Sequence, residues 1–153
     1  MKPGLVERAA RFAAAAHAGQ TRKWTGVPYF THVAGVAERL AGDGSAVRAA
    51  AYLHDTLEDT AATYEQLVAE FGAEVADLVV ELTDIYTKES YPHLNRKARK
   101  ALECARLATI SGRAKRIKLA DIADNAADIE AVAPKRFAQM WLAEKAALLK
   151  VLT

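Results

Sequence analysis

An all-α fold of about seven or eight helices joined by short loops is what this 153-residue chain predicts. Three observations carry the expectation. Apolar residues recur at three- and four-residue spacing over long stretches. Gly, Pro and capping residues fall between those stretches, where helices stop and start. No stretch sustains the alternation of a strand, and no hairpin signature separates two such runs.

The first helix is expected over 6–17, alanine-rich, with Val6, Ala9, Ala10, Ala13 and Ala16 at helical spacing. Gly19 suits its end. Residues 20–29 read as a polar loop with turns at Gly26 and Pro28. A second helix opens near Tyr29 or Thr31, carries His32, Val33, Val36, Ala37 and Leu40, and stops at Gly42 and Gly44. The third starts at Ser45 and runs toward an acidic stretch. Thr63 and Gln66 match a capping box that opens a helix over 64–71, broken by Gly72. The next, over 73–83, turns Val75, Leu78, Val79 and Leu82 inward. Residues 84–94 are the least regular and contain Pro92. A basic amphipathic helix over 96–110 and another over 114–132 follow. Pro134 marks the start of the last, in which Met140, Trp141, Ala147, Leu148 and Val151 are the apolar positions.

Composition bounds the function. Hydrophobic residues make up 52% and charged residues 26%, as in a globular protein, and the length suits a single domain over 1–153. The net charge of +2, from 21 basic and 19 acidic residues, argues against a general nucleic-acid binder. The lone Cys104 excludes an internal disulfide and fits a reducing compartment. No apolar run reaches the roughly 18 residues of a membrane span, so no membrane contact is expected. Glu7, Arg8 and Arg11 make a secretory signal a poor reading of the first 16 residues. The expected location is the cytoplasm; a homo-oligomer is compatible with all of this.

The chemistry concentrates in Tyr52-Leu53-His54-Asp55-Thr56-Leu57-Glu58-Asp59-Thr60. If the preceding helix persists, His54 with Glu58 and Asp55 with Asp59 are four apart and share one sector of its surface. Like charges at that spacing repel by about 0.2–0.5 kcal/mol per pair, and the helix C-terminus is itself negative. A divalent cation reverses both penalties. An imidazole beside carboxylates suits Mn, Fe, Zn, Co or Ni better than Ca. The plain alternative is a solvated acidic helix end with a packed histidine.

Such a site needs ligands from other elements. His32, at the opening of a helix, is one candidate. Asp121, in an otherwise largely apolar helical stretch, is another, because a buried carboxylate requires a partner. Asn125 lies one turn on. A salt bridge from Asp121 to Arg113 or Lys118 is the structural alternative.

Taken together, His32, His54-Asp55 and Asp121 follow the order of the HD-domain metal set. Further segments narrow the match: Ala16-His-Ala-Gly-Gln-Thr-Arg-Lys23, Pro28-Tyr-Phe-Thr-His32, the HD followed by Glu58-Asp59, Phe71-Gly-Ala-Glu-Val75 and Lys118-Leu-Ala-Asp-Ile-Ala-Asp-Asn125. The chain resembles the hydrolase domain of RelA/SpoT proteins in its stand-alone form, the small alarmone hydrolases, from about Val6 to Asp128. The remaining residues leave no room for a synthetase or regulatory domain. The resemblance implies Mn²⁺-dependent removal of the 3′-pyrophosphate from (p)ppGpp, with another divalent transition metal as an alternative. It implies that His32, His54, Asp55 and Asp121 hold the metal, and that Glu58 and Asp59 position and deprotonate the attacking water. It implies that Arg22, stacked on the base, and Lys23 contact the nucleotide, while Asn125 lines the ribose and phosphate end. Arg136 matches a phosphate-contacting arginine of small relatives.

Departures from the family pattern bear on the substrate. Ile122 stands where many relatives carry Arg or Lys, and Asn125-Ala-Ala-Asp128 lacks the arginine that often follows the asparagine. His93 stands in place of a lysine and reads as a surface residue; His17 reads as a structural residue at a helix end. The metal set is intact, but the phosphate grip is thinned. The alternatives are a phosphatase for another 2′- or 3′-phosphorylated nucleotide such as NADPH, and a catalytically silent domain that binds a nucleotide or a protein partner.

Overall fold

The computed structural model describes residues 3–153; the expected domain begins at Met1, and Met1 and Lys2 lie outside the described residues. Among the described residues nine helices follow one another: α1 (Leu5–Ala16), α2 (Phe30–Arg39), α3 (Ser45–Leu53), α4 (Thr56–Asp59), α5 (Tyr64–Phe71), α6 (Ala73–Leu82), α7 (Arg96–Leu107), α8 (Gly112–Val132) and α9 (Lys135–Leu152). The expected class holds, and the one-turn α4 accounts for the higher count. Among the described residues there is no strand, only an isolated bridge between Thr21 and Pro28 that closes the loop before α2. No helix among the described residues is long and apolar enough to cross a membrane.

Local signals act where expected. The Thr63 side chain accepts from the Gln66 N–H and the Gln66 side chain accepts from the Thr63 N–H, a complete capping box. Gly72 turns the chain between α5 and α6 at φ 87°, a region that a side chain disfavours. Asn95 and Ser111 cap α7 and α8 through their side chains.

α3 is the central strut. It packs on α1, α2, α6 and α8, and Ala49, Ala50, Ala51 and Leu53 are fully buried. Three consecutive alanines leave room for neighbours on every side. One core joins α1–α3, α5, α6 and the start of α8, through Val33, Val36, Leu67, Val75, Val79 and Ile117. A second joins α7, the rest of α8 and α9, through Leu107, Ile122, Ile129, Trp141 and Leu148. α8 thus carries apolar residues on two sides, and Asp121 sits where the two cores meet. Ile122 has its place in the second core. Two of the apolar positions of α9, Met140 and Ala147, are exposed, because they face the shallow groove between α7 and α9.

The irregular stretch before α7 is held by one buried carboxylate. Glu103 accepts from the backbone N–H groups of Ile85 and Tyr86 at 3.0 and 3.1 Å and pairs with Arg106 at 2.8 Å. Burial pushes the Glu103 carboxyl up, but Arg106 and the two amides outweigh it and leave it lowered. A lowered folded-state pKa stabilises above the ordinary Glu value of about 4.3 and stops doing so as pH falls through the folded value. Glu103→Ala, which strands two amides and a guanidinium, should cost about 2–3 kcal/mol in urea unfolding at pH 7, and the gap to wild type should narrow below about pH 4.

Candidate metal centre

The helix expected to run through His54 breaks there. The His54 Nδ1–H donates to the Ala51 carbonyl at 2.7 Å, and the Thr56 hydroxyl donates to the Leu53 carbonyl at 2.7 Å. These side chains take acceptors that a continuing helix would use, α3 ends at Leu53 and α4 begins at Thr56. The helical spacing expected across His54, Asp55, Glu58 and Asp59 is therefore replaced by a kink. The kink brings Asp55 Oδ2 to 3.1 Å from His54 Nε2.

α2 supplies His32 in its first turn, and α8 supplies Asp121. Asp121 Oδ1 lies 2.9 Å from His32 Nε2 and 3.3 Å from His54 Nε2, and Asp55 Oδ2 lies 3.7 Å from His32 Nε2. His32, His54 and Asp121 are all buried and offer ligand atoms within 4.8 Å of one another. The four residues singled out in the sequence thus meet at one point. The salt bridge considered for Asp121 is present as well: Lys118 donates to Oδ2 at 2.9 Å, leaving Oδ1 toward the histidines, where Asn125 Nδ2 also reaches it at 3.3 Å.

Both imidazoles have their orientation set from behind. His54 Nδ1 faces a carbonyl, which can only accept. His32 Nδ1 faces Asp124 Oδ2 at 2.8 Å. Each Nδ1 carries a hydrogen, so each Nε2 is the ring nitrogen that faces the shared point and, once a cation displaces its proton, offers the lone pair, the usual arrangement behind a metal-binding histidine. The electrostatics agree with a site built for positive charge. For His32, burial lowers the pKa, but the hydrogen bonds to Asp121 and Asp124 hold it up at about 8. For His54, burial is likewise outweighed, by Asp55 and Asp121, and the pKa is raised well above the ordinary value. Burial would raise Asp121, yet Lys118 and the two histidines keep it well below the carboxylate range. These donors fit a divalent transition metal.

Glu58 and Asp59 stand beside this cluster, exposed, with carboxylate oxygens within 4.8 Å of each other and of Asp55. Burial of the carboxyl and the neighbouring Asp84, Asp55 and Asp59 push Glu58 up to about 8. Burial and then Asp55 raise Asp59.

Three supporting residues were not singled out in the sequence for this work. Tyr29 donates its hydroxyl to Asp55 Oδ2 at 2.6 Å. Lys118 appeared only as a salt-bridge partner. Asp124 is buried, three positions after Asp121 on α8; that spacing was the available signal. Asp124 also takes Arg22 at 3.1 Å, and Arg22 Nε reaches Asp128 at 2.6 Å. Arg22, expected to stack on a nucleotide base, is clamped to α8 with 11% of its side chain exposed. It lines a pocket of about 210 Å³ with Lys23, Trp24, Asn125, Phe137 and Trp141. Lys23 Nζ stands over the rings of Trp24 and Phe137 at 4.8 and 5.0 Å. Arg136 is exposed in the first turn of α9 and is not part of that lining. His93 is exposed and His17 is buried, its Nδ1 2.7 Å from Gln20 Oε1.

Residues 9–147 match the HD domain family. The chain belongs to it. Among HD-domain relatives, the guanosine-3′,5′-bis(diphosphate) 3′-pyrophosphohydrolase MESH1 of Xenopus tropicalis is 37% identical over 145 residues, covering 92% of this chain and 78% of that one. The Homo sapiens protein of the same name is 38% identical over 136 residues, covering 86% and 73%. A solved structure of a metazoan orthologue of SpoT that hydrolyses ppGpp superposes with a TM-score of 0.86 at 31% identity, over 99% of this chain and 87% of the other. The all-helical HD architecture is shared along the length of the match.

One glycine makes the support for His32 testable. A Cβ on Gly35 of α2 would collide with Asp124 Oδ1. Gly35→Ala should displace Asp124, and Asp124→Ala should remove it. Both should weaken divalent-metal binding, the latter by about 10–100-fold, with helix content unchanged by circular dichroism.

Proposed function

We propose that this chain is a Mn²⁺-dependent hydrolase that removes the 3′-pyrophosphate from (p)ppGpp, working as a single domain in the cytoplasm. The observation that carries the reading is the meeting of His32 Nε2, His54 Nε2, Asp55 Oδ2 and Asp121 Oδ1 at one point beside Glu58 and Asp59. It is supported by relatives named as guanosine-3′,5′-bis(diphosphate) 3′-pyrophosphohydrolases. His32, His54, Asp55 and Asp121 are the proposed ligands.

The ion, when bound, polarises a phosphoryl oxygen and makes a water more acidic. Glu58, ionised once a cation offsets its acidic neighbours, takes the proton of the attacking water on its carboxylate, and Asp59 orients that water. The new P–O bond forms as the bond from phosphorus to the ribose 3′-oxygen breaks. The electron pair goes to that oxygen, which takes a proton. Tyr29 holds Asp55 in place through its hydroxyl. The pocket lined by Arg22, Lys23, Trp24 and Asn125 holds the nucleoside. Arg22 offers its face to the base while Asp124 and Asp128 fix its edge. Lys23 sets its charge toward phosphate, and Asn125 lines the ribose side. Arg136, exposed on α9 outside that lining, would meet only a phosphate that extends beyond the pocket.

The retained Glu58-Asp59 pair favours turnover over a silent binding role. Purified protein with Mn²⁺ should release pyrophosphate from ppGpp faster than it releases phosphate from NADPH; the reverse order would assign it the other substrate class. Glu58→Ala should lower kcat by about 10²–10⁴-fold with metal content unchanged, and loss of the metal would move Glu58 into the ligand set. Arg22→Ala should raise KM more than it lowers kcat, because base stacking holds ground and transition states alike.

A further inference from the structure

A second, more enclosed pocket adjoins the metal cluster. Lys100 of α7, Lys118 of α8 and Lys145 of α9 line it, with Asp84, Glu103 and Glu144 in its wall. Asp121 connects the two pockets. Asn125, in the nucleoside pocket, bonds one of its oxygens, and Lys118, in the second pocket, bonds the other. Trp141 connects them again: it lines the first pocket, and Lys145 Nζ stands 5.3 Å from its ring centroid.

Most of the negative charge in the wall is already engaged. Both Glu144 oxygens take the Arg96 guanidinium at 2.9 and 3.0 Å. Glu103 is held by Arg106 and two backbone amides. Lys118 is held by Asp121. Among the described residues, neither Lys100 nor Lys145 forms an ion pair, and only Asp84 is left to oppose them. Burial and then repulsion from Lys118 and Lys100 push the Lys145 ammonium down to about 8, against the pull of Asp121 and Glu144. The two unpaired cations, Lys100 from α7 and Lys145 from α9, stand with the paired Lys118 around one pocket, and like charges so gathered repel one another unless an anion joins them.

We propose that Lys100, Lys118 and Lys145 form a phosphate pocket that takes the outer phosphate of the substrate's 3′-diphosphate and holds pyrophosphate after cleavage. The inference rests on the proposed reaction. It also gives the phosphate contacts a source other than the arginine that Ala126 and Ala127 do not supply after Asn125. A nucleotide then spans the site, with its nucleoside among Arg22, Trp24 and Asn125, its scissile bond at the metal, and its outer phosphate among the lysines.

The test is calorimetric binding of inorganic pyrophosphate to the metal-loaded protein. Lys145→Met keeps the stem and removes the charge. It should weaken pyrophosphate binding about tenfold, as should Lys100→Met, and Lys145→Arg should restore most of it. Lys97→Met, exposed on α7 outside the pocket, should change nothing. The KM for ppGpp should rise in step with the binding loss. Metal content and melting temperature identify a variant that is merely misfolded, and Lys100→Met carries the test if Lys145→Met is one. Wild-type protein that binds no pyrophosphate, or lysine variants that bind it within twofold of wild type, would overturn the pocket even if ppGpp is hydrolysed. Charge-dependent pyrophosphate binding without ppGpp turnover would leave the pocket standing and remove the proposed reaction.

Discussion

A carboxylate buried in the middle of a helix is the constraint on which the arrangement depends. Asp121 is 7% exposed, and an ionised group in that position is tolerable only when its oxygens are fully partnered. Lys118 and Asn125 come from its own helix, but His32 and His54 come from α2 and the end of α3. Satisfying one charge therefore requires three segments, far apart in sequence, to converge. The apolar packing of α2 and α3 against α8 supplies the proximity. The charge then selects the register in which the histidines face inward.

The helices were legible because their signals are local. Cap, stop and periodicity at Thr63, Gly72 and 73–83 each act within a few residues, and the structure places helices there. The break at His54 was not legible, because it comes from two side chains capturing backbone carbonyls and leaves the apolar pattern of α3 unchanged. The exposure of Met140 and Ala147 was not legible for a different reason. Periodicity says that a helix has an apolar side, but it does not say whether another element covers all of it.

The site divides along the same line. His32, His54, Asp55 and Asp121 could be picked out because metal-ligand residue types are conspicuous and their order resembles a known pattern. Asp124 and Lys145 were passed over because a single charged residue on an amphipathic helix looks like solvated surface until the packing is seen. Asp124 is turned inward by Gly35, whose missing side chain gives its carboxylate room against α2. Lys145 is turned inward by the second core, which sets α9 against α8.

Asp124 has a consequence beyond holding one imidazole. Its carboxylate is shared between His32 and Arg22, so one small group belongs to the support of the candidate metal centre and to the loop that borders the pocket lined by Arg22, Lys23 and Trp24. Two ligands that act on a common group are thermodynamically linked, and the linkage is reciprocal. Whatever factor an ion adds to the affinity for a nucleotide by ordering Asp124, the nucleotide returns to the affinity for the ion. Through this shared group the two proposed occupancies would behave as one cooperative unit.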